Sequence, residues 1–164
     1  MTRREFVGHI VGIPGVMMAA GLSGSRAEAE MATTETFEIT RTEAEWRAML
    51  TAEQFRVLRK HGTERAGTSP LDKQYARGTY ACAGCDLPLF KSDTKFDSGT
   101  GWPSFWAPID GAIRTTSDRS FFMTRTETHC RRCGGHLGHV FDDGPKPTGL
   151  RYCMNGAALK FLPE

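Results

Sequence analysis

The chain has 164 residues, 39% of them hydrophobic, and a net charge of +2 at pH 7. That length suffices for one domain with a real core and is too short for two comfortable ones. The small charge, with no run of Lys or Arg along one face of a predicted element, excludes the basic stripe expected of a nucleic-acid binder.

In chain order, residues 1–29 read as an export signal. Arg3 and Arg4 precede an apolar stretch from Val7 to Leu22, and Ala27-Glu28-Ala29 supplies the small residues of a cleavage site. The paired arginines followed by Glu5, Phe6 and Val7 resemble the twin-arginine type. Gly12, Pro14 and Gly15 make the stretch a poor membrane span; the alternative is an uncleaved N-terminal anchor. The expectation is a bacterial protein exported to the periplasm, with a mature chain beginning near Glu30 and a polar linker over 30–40.

Two short helices follow. Thr42 with Glu45, and Thr51 with Gln54, fit capping boxes. The first helix would present Trp46, Met49 and Leu50 and the second Phe55, Val57 and Leu58, with Gly62 closing it. A loop over Thr63 to Gln74 leads into short β-like runs: Thr79 to Ala83, Pro88 to Lys91, Ala112 to Ser117, Phe121 to Thr128, Leu137 to Phe141, Arg151 to Met154 and Leu159 to Phe161. Their close spacing, and the glycines gathered around them, predict an antiparallel, mainly β body rather than alternating βα units.

Four of the five cysteines form two Cys-x-x-Cys pairs, Cys82 with Cys85 and Cys130 with Cys133. Each pair offers two thiolates from one tight turn, and two such turns close a tetrahedral zinc site. Two disulfides would each close a tiny loop and constrain the unfolded chain little. A thioredoxin-like redox pair would be one pair at a helix N-terminus rather than two in a β context. A closed four-sulfur site has no open position for substrate, so its metal is structural.

Cys153 is the cysteine left over. On a strand, Arg151, Cys153 and Asn155 share one face, so the thiol has a guanidinium and an amide beside it, which would lower its pKa. A free thiol at neutral pH is only about 3% ionised. The other reading is a buried structural cysteine. His136 and His139 suit either core packing or proton transfer beside Cys153; a second metal site built from them lacks carboxylates, with only Asp142 and Asp143 near in sequence. The run Lys95 to Trp106 places Gly99 and Gly101 before Trp102 and Pro103, a tight turn presenting an indole, either to the core or as the wall of a site for a sulfur-bearing apolar group.

Taken together, these motifs closely resemble the B-type methionine sulfoxide reductases. The residues that carry the resemblance are Cys82-x-x-Cys85, the Lys95-to-Phe105 run, Cys130-x-x-Cys133, His136 through Pro145, Pro147-Thr148-Gly149 and Arg151-Tyr152-Cys153. The resemblance covers residues 41–164. It implies two antiparallel sheets in a tent-like β body with N-terminal helices outside and one structural Zn2+ away from the active site. It implies reduction of the R epimer of methionine sulfoxide, mainly in oxidised proteins, as a repair activity. Cys153 would be the nucleophile, His139 with His136 the proton donor or water-positioning group, Arg151 and Asn155 the groups that tune and orient the thiol, and Trp102 with Phe105 the substrate-binding wall. Thr100 stands where many relatives carry a second, resolving cysteine. A one-cysteine cycle is therefore expected, in which a thioredoxin-like protein or other external thiol attacks the Cys153 sulfenic acid, in a chain expected to be monomeric. The rival is a non-enzymatic ligand-binding domain on the same zinc-stabilised body.

Overall fold

The computed structural model describes residues 36–119 and 123–164. The expected signal and most of the linker lie outside these residues, as do Phe121 and Phe122 of the expected strand. Among the described residues no helix is long and apolar enough to cross a membrane.

Helix α1 spans Glu43–Met49 and α2 spans Ala52–Lys60, each opened by the expected capping box at Thr42 and Thr51. The reciprocal bonds satisfy backbone amides that the first helical turn cannot pair internally. Trp46, Leu50, Phe55, Val57 and Leu58 are buried as expected, whereas Met49 is exposed. The left-handed residue that ends α2 is His61, at φ 52°, rather than Gly62. That one-residue difference aims the His61 side chain at the β body, where it meets Glu127.

Among the described residues nine strands follow: β1 Gly78–Cys82, β2 Pro88–Lys91, β3 Lys95–Phe96, β4 Ser104–Phe105, β5 Ile113–Asp118, β6 Arg125–Cys130, β7 His136–Phe141, β8 Arg151–Met154 and β9 Leu159–Pro163. They form a three-stranded sheet in the order β2-β1-β9 and a six-stranded sheet in the order β3-β4-β8-β7-β6-β5. Every pairing is antiparallel. The fold is thus mainly β with two antiparallel sheets and two short helices, as expected. Strands β3 and β4 are new relative to the sequence reading: two residues each, paired with each other, and β4 also with the distant β8.

The core between the sheets is aromatic. Phe90 of β2 stacks on Phe105 of β4 with ring centroids 4.2 Å apart, and Tyr80 of β1 meets the same ring edge-on at 4.9 Å. All three are fully buried. Stacked and edge-on rings add about 0.5–1.5 kcal/mol per pair beyond the area they bury. Phe105, expected to bound the substrate site, is therefore a core residue, because its strand turns that side chain toward the smaller sheet.

Strand β7 approaches β8 so closely at Gly138 that a Cβ there would run into the Cys153 carbonyl oxygen, which is backbone and cannot swing aside. Gly138→Ala is expected to cost about 2–4 kcal/mol, since overpacking alone costs ~1–3. Urea unfolding would check it, and an unchanged midpoint would refute the close packing.

Candidate active site

Strand β8 runs through the middle of the larger sheet, with Cys153 opposite Ser104 of β4 on one side and His139 of β7 on the other. The same row continues through Glu127 on β6 to Thr116 on β5. Residues directly opposite in antiparallel strands point to one face, so the pairing assembles a polar row out of an otherwise apolar body.

His136 and His139 lie three apart, which on a regular strand sends side chains to opposite faces. The pairing of β6 with β7 shifts between Thr128 and His129, so that Thr128 faces Gly138 while His129 faces His136. This bulge takes up one residue of β7 and turns both histidines to the same side; their rings are 5.5 Å apart. Glu127 Oε1 accepts from His136 Nδ1 at 2.6 Å, and His61 Nδ1 lies 2.9 Å from the same oxygen. His139 Nε2 is 2.9 Å from Asp118 Oδ2, itself bonded by Arg125 Nη2 at 2.7 Å.

Cys153 lines a cavity of about 130 Å3 with Trp102, His139, Phe141 and Asn155. The Trp102 indole is fixed by its Nε1–H, which donates to the Glu64 carbonyl at 3.2 Å. The turn before it needs left-handed backbone at Gly99 (φ 70°) and Gly101 (φ 85°), a conformation that costs glycine little. Phe105 is not among the lining residues.

The electrostatics of the thiol differ from the sequence expectation. Burial pushes the Cys153 pKa up, and the hydrogen bond from Thr100, the Arg151 charge and the hydrogen bond from Ser104 pull only part of the way back. Thr100 Oγ1 is 3.9 Å from Sγ, and it belongs to a hydroxyl chain with Ser98 (2.8 Å) that reaches Ser104 (2.7 Å). Arg151 is held beside the thiol by a bidentate pair with Asp143, both bonds 2.8 Å, and by stacking over Phe141. Asn155 lies beyond the end of β8. Its Oδ1 accepts from Glu64 N–H at 2.9 Å and its Nδ2 donates to Leu137 O at 3.1 Å, so it braces the backbone around the cavity. Burial also lowers the His139 pKa, against the opposing pull of Asp118, so its imidazole is neutral at neutral pH and able to take a proton.

Glu64, Asp118 and Glu127 were not singled out from the sequence. Glu64 is buried and its carboxylate accepts from Gly156 N–H at 2.6 Å and Ala157 N–H at 2.7 Å. Its backbone also holds Trp102 and Asn155, so one residue ties the pocket wall to the end of β8. For Glu127 the alternation of β6 was a usable signal, because Arg125, Glu127 and His129 share a face, but the facing histidines depend on the bulge.

The four remaining cysteines gather at the join of the two sheets. Cys82 ends β1 in the smaller sheet and Cys130 ends β6 in the larger. The two turns are alike: Asp86 N–H donates to Cys82 O, and Gly134 N–H donates to Cys130 O. The four sulfurs lie within 4.8 Å of one another, with Cys82 to Cys133 at 3.8 Å and Cys85 to Cys130 at 3.5 Å. A tetrahedron with Zn–S bonds of about 2.3 Å has edges of about 3.8 Å, so the donor set and its spacing fit a four-thiolate metal ion. None of the four lines the Cys153 cavity.

Residues 50–163 match the family model of the SelR domain. The chain is 58% identical over 128 residues to a peptide methionine sulfoxide reductase MsrB of Pseudomonas putida (strain W619), covering 77% of this chain and 96% of that protein. It is 54% identical over 129 residues to the protein of the same name from Leptospira interrogans, covering 78% and 98%. A third, from Methanosarcina mazei, is 52% identical over 128 residues, covering 77% and 91%.

Proposed function

The chain belongs to the SelR-domain family of B-type methionine sulfoxide reductases and reduces the R epimer of methionine sulfoxide in proteins or peptides at the expense of a thiol; from that premise we propose that Cys153 is the attacking group. The observation that carries this is placement. Cys153 lines the cavity beside a neutral histidine and an indole, and none of the other four cysteines lines that cavity.

The sulfoxide methyl group rests against Trp102, and the shape of that wall selects the epimer. Because burial disfavours the thiolate, ionisation is coupled to attack: His139 takes the thiol proton and supplies a proton to the sulfoxide oxygen as Sγ attacks the sulfoxide sulfur. Oxygen passes to Sγ, the thioether of methionine leaves, and Cys153 becomes a sulfenic acid. Asp118 orients His139, His136 fixes the adjoining polarity, and Arg151 with Thr100 and Ser104 stabilises developing negative charge on sulfur. An external thiol, from a thioredoxin-like protein or a small molecule, then attacks Sγ and releases water. A second thiol frees Cys153 and leaves the reductant as a disulfide.

Thr100 supports this one-cysteine cycle, since the residue nearest Sγ in its turn carries a hydroxyl and the other four thiols are committed to the cluster. Turnover without reductant, followed by dimedone and peptide mapping, is expected to label Cys153 and to find no new internal disulfide. An internal disulfide at Cys153 would overturn external resolution. The four-cysteine cluster holds zinc in this reading, where it clamps the sheets and supplies no chemistry to the pocket. Arg3, Arg4 and the apolar run after them support export to the periplasm as a monomer that repairs oxidised proteins there. The ligand-binding rival is not favoured by relatives that are reductases over nearly their whole length.

A further inference from the structure

Beside the reductase pocket is a second cavity of about 310 Å3, lined by His61, Thr63, Asp118, Arg125, Glu127, His136 and His139. The sequence left His136 without carboxylate company; the sheet supplies Glu127 from the neighbouring strand, and the left-handed end of α2 supplies His61. The donor atoms of His61, Glu127 and His136 lie within 4.8 Å of one another. His61 Nδ1 is 2.9 Å and His136 Nδ1 2.6 Å from Glu127 Oε1. Metal–ligand bonds of about 2.1 Å at right angles give an edge of about 3.0 Å, so a small spreading of these contacts makes two imidazoles and a carboxylate one face of an octahedron.

Three further observations favour an ion. His136 is 2% exposed and its Nε2 has no hydrogen-bond partner among the described residues, so the ring is held by packing, with Nδ1 its one polar engagement. His61 is largely exposed, giving an entry from solvent, and the cavity leaves the remaining coordination positions to water. The charges facing the cluster are Glu127, Asp118 and Arg125, with Arg125 tied to Asp118 at 2.7 Å. Glu127 is thus the carboxylate that faces both imidazoles directly.

We propose that His61, Glu127 and His136 form a second metal site, for a borderline divalent ion such as Ni2+ or Zn2+, whose occupancy sets a cation beside His139, which lines both cavities, and inhibits turnover. Binding displaces the protons shared with Glu127 and leaves the four-cysteine cluster intact. The inhibition rests on the reductase reading; the binding does not.

The test titrates the full chain, its cysteine cluster filled, with Ni2+ alone, counting metals per chain by elemental mass spectrometry after gel filtration. Activity is read as methionine formed in a single turnover, because added thiols would chelate the ion. Wild type is expected to take up one Ni2+ beyond the cluster ion, without zinc loss, and to slow in step by tenfold or more. His61→Asn, which keeps a residue tolerant of left-handed backbone, is expected to keep its activity and lose at least tenfold in Ni2+ affinity; Glu127→Gln is expected to weaken binding similarly, and Cys153→Ser to leave it unchanged. No additional equivalent in wild type, equal affinity in His61→Asn, loss of binding in Cys153→Ser, or full activity with the site filled would each overturn the proposal.

Discussion

Cys153→Ser is expected to lower reduction of the R epimer of a methionine sulfoxide amide by roughly a thousandfold or more, with dithiothreitol as reductant and the S epimer untouched by either protein. A serine hydroxyl keeps the size of the side chain and the neighbours Thr100 and Ser104, so the fold and the metal content should not change. What is lost is an atom that can take oxygen from a sulfoxide, become a sulfenic acid and then be attacked by a thiol. No positioning by Trp102, His139 or Arg151 can replace that. Retained activity in the serine variant would remove Cys153 from the chemistry. A wild-type protein inactive on both epimers, with its fold intact, would move the weight to a binding role for the pocket.

The largest effect on stability is expected from the cysteine cluster. Cys130→Ser should abolish stoichiometric metal binding and lower the unfolding midpoint so far that the chain is poorly folded at 37 °C. Structural zinc contributes roughly 10–16 kcal/mol of apparent binding free energy, which matches or exceeds the ~5–15 kcal/mol that holds a typical domain together. Cys130 belongs to the larger sheet and Cys82 to the smaller, so the loss would fall on the contact between sheets rather than on a surface turn. Metal content and thermal unfolding measured together check this. Loss of the ion with an unchanged midpoint would show that the aromatic core alone holds the sheets.

Features set by local chemistry were legible in the chain. The capping boxes at Thr42 and Thr51 depend on residues three apart, and strands β2 and β8 were bounded on both sides by turn residues. Features set by pairing were not. The two-residue strand β4 is defined by β8 beside it and β3 in turn by β4, and Phe105 became a core residue rather than a pocket wall because its strand turns it toward the smaller sheet. The bulge at Leu137 put His136 and His139 on one face, where alternation separates them. The thiol gives the clearest lesson: a sequence displays Arg151 beside Cys153 but not the burial that outweighs it, nor that the Asn155 amide is engaged by Glu64 and Leu137. Asp118 and Glu127 were invisible as partners because they reach the histidines across strands.

The order of strands also says when this enzyme can come into being. Strand β8 lies between β4 and β7, and β9 pairs with β1 across some eighty positions of chain. Such distant pairings must close large loops before contacts compensate the lost entropy, so they form slowly. Until the segment from Arg151 to Pro163 docks, the larger sheet lacks an inner strand and the smaller one an edge strand. The reactive sulfur therefore stays on unfolded, solvent-exposed chain through most of folding and acquires its neighbours in the same step that completes both sheets. A nascent chain awaiting that step has an ordinary thiol, open to chance oxidation and without the pocket that gives it a use.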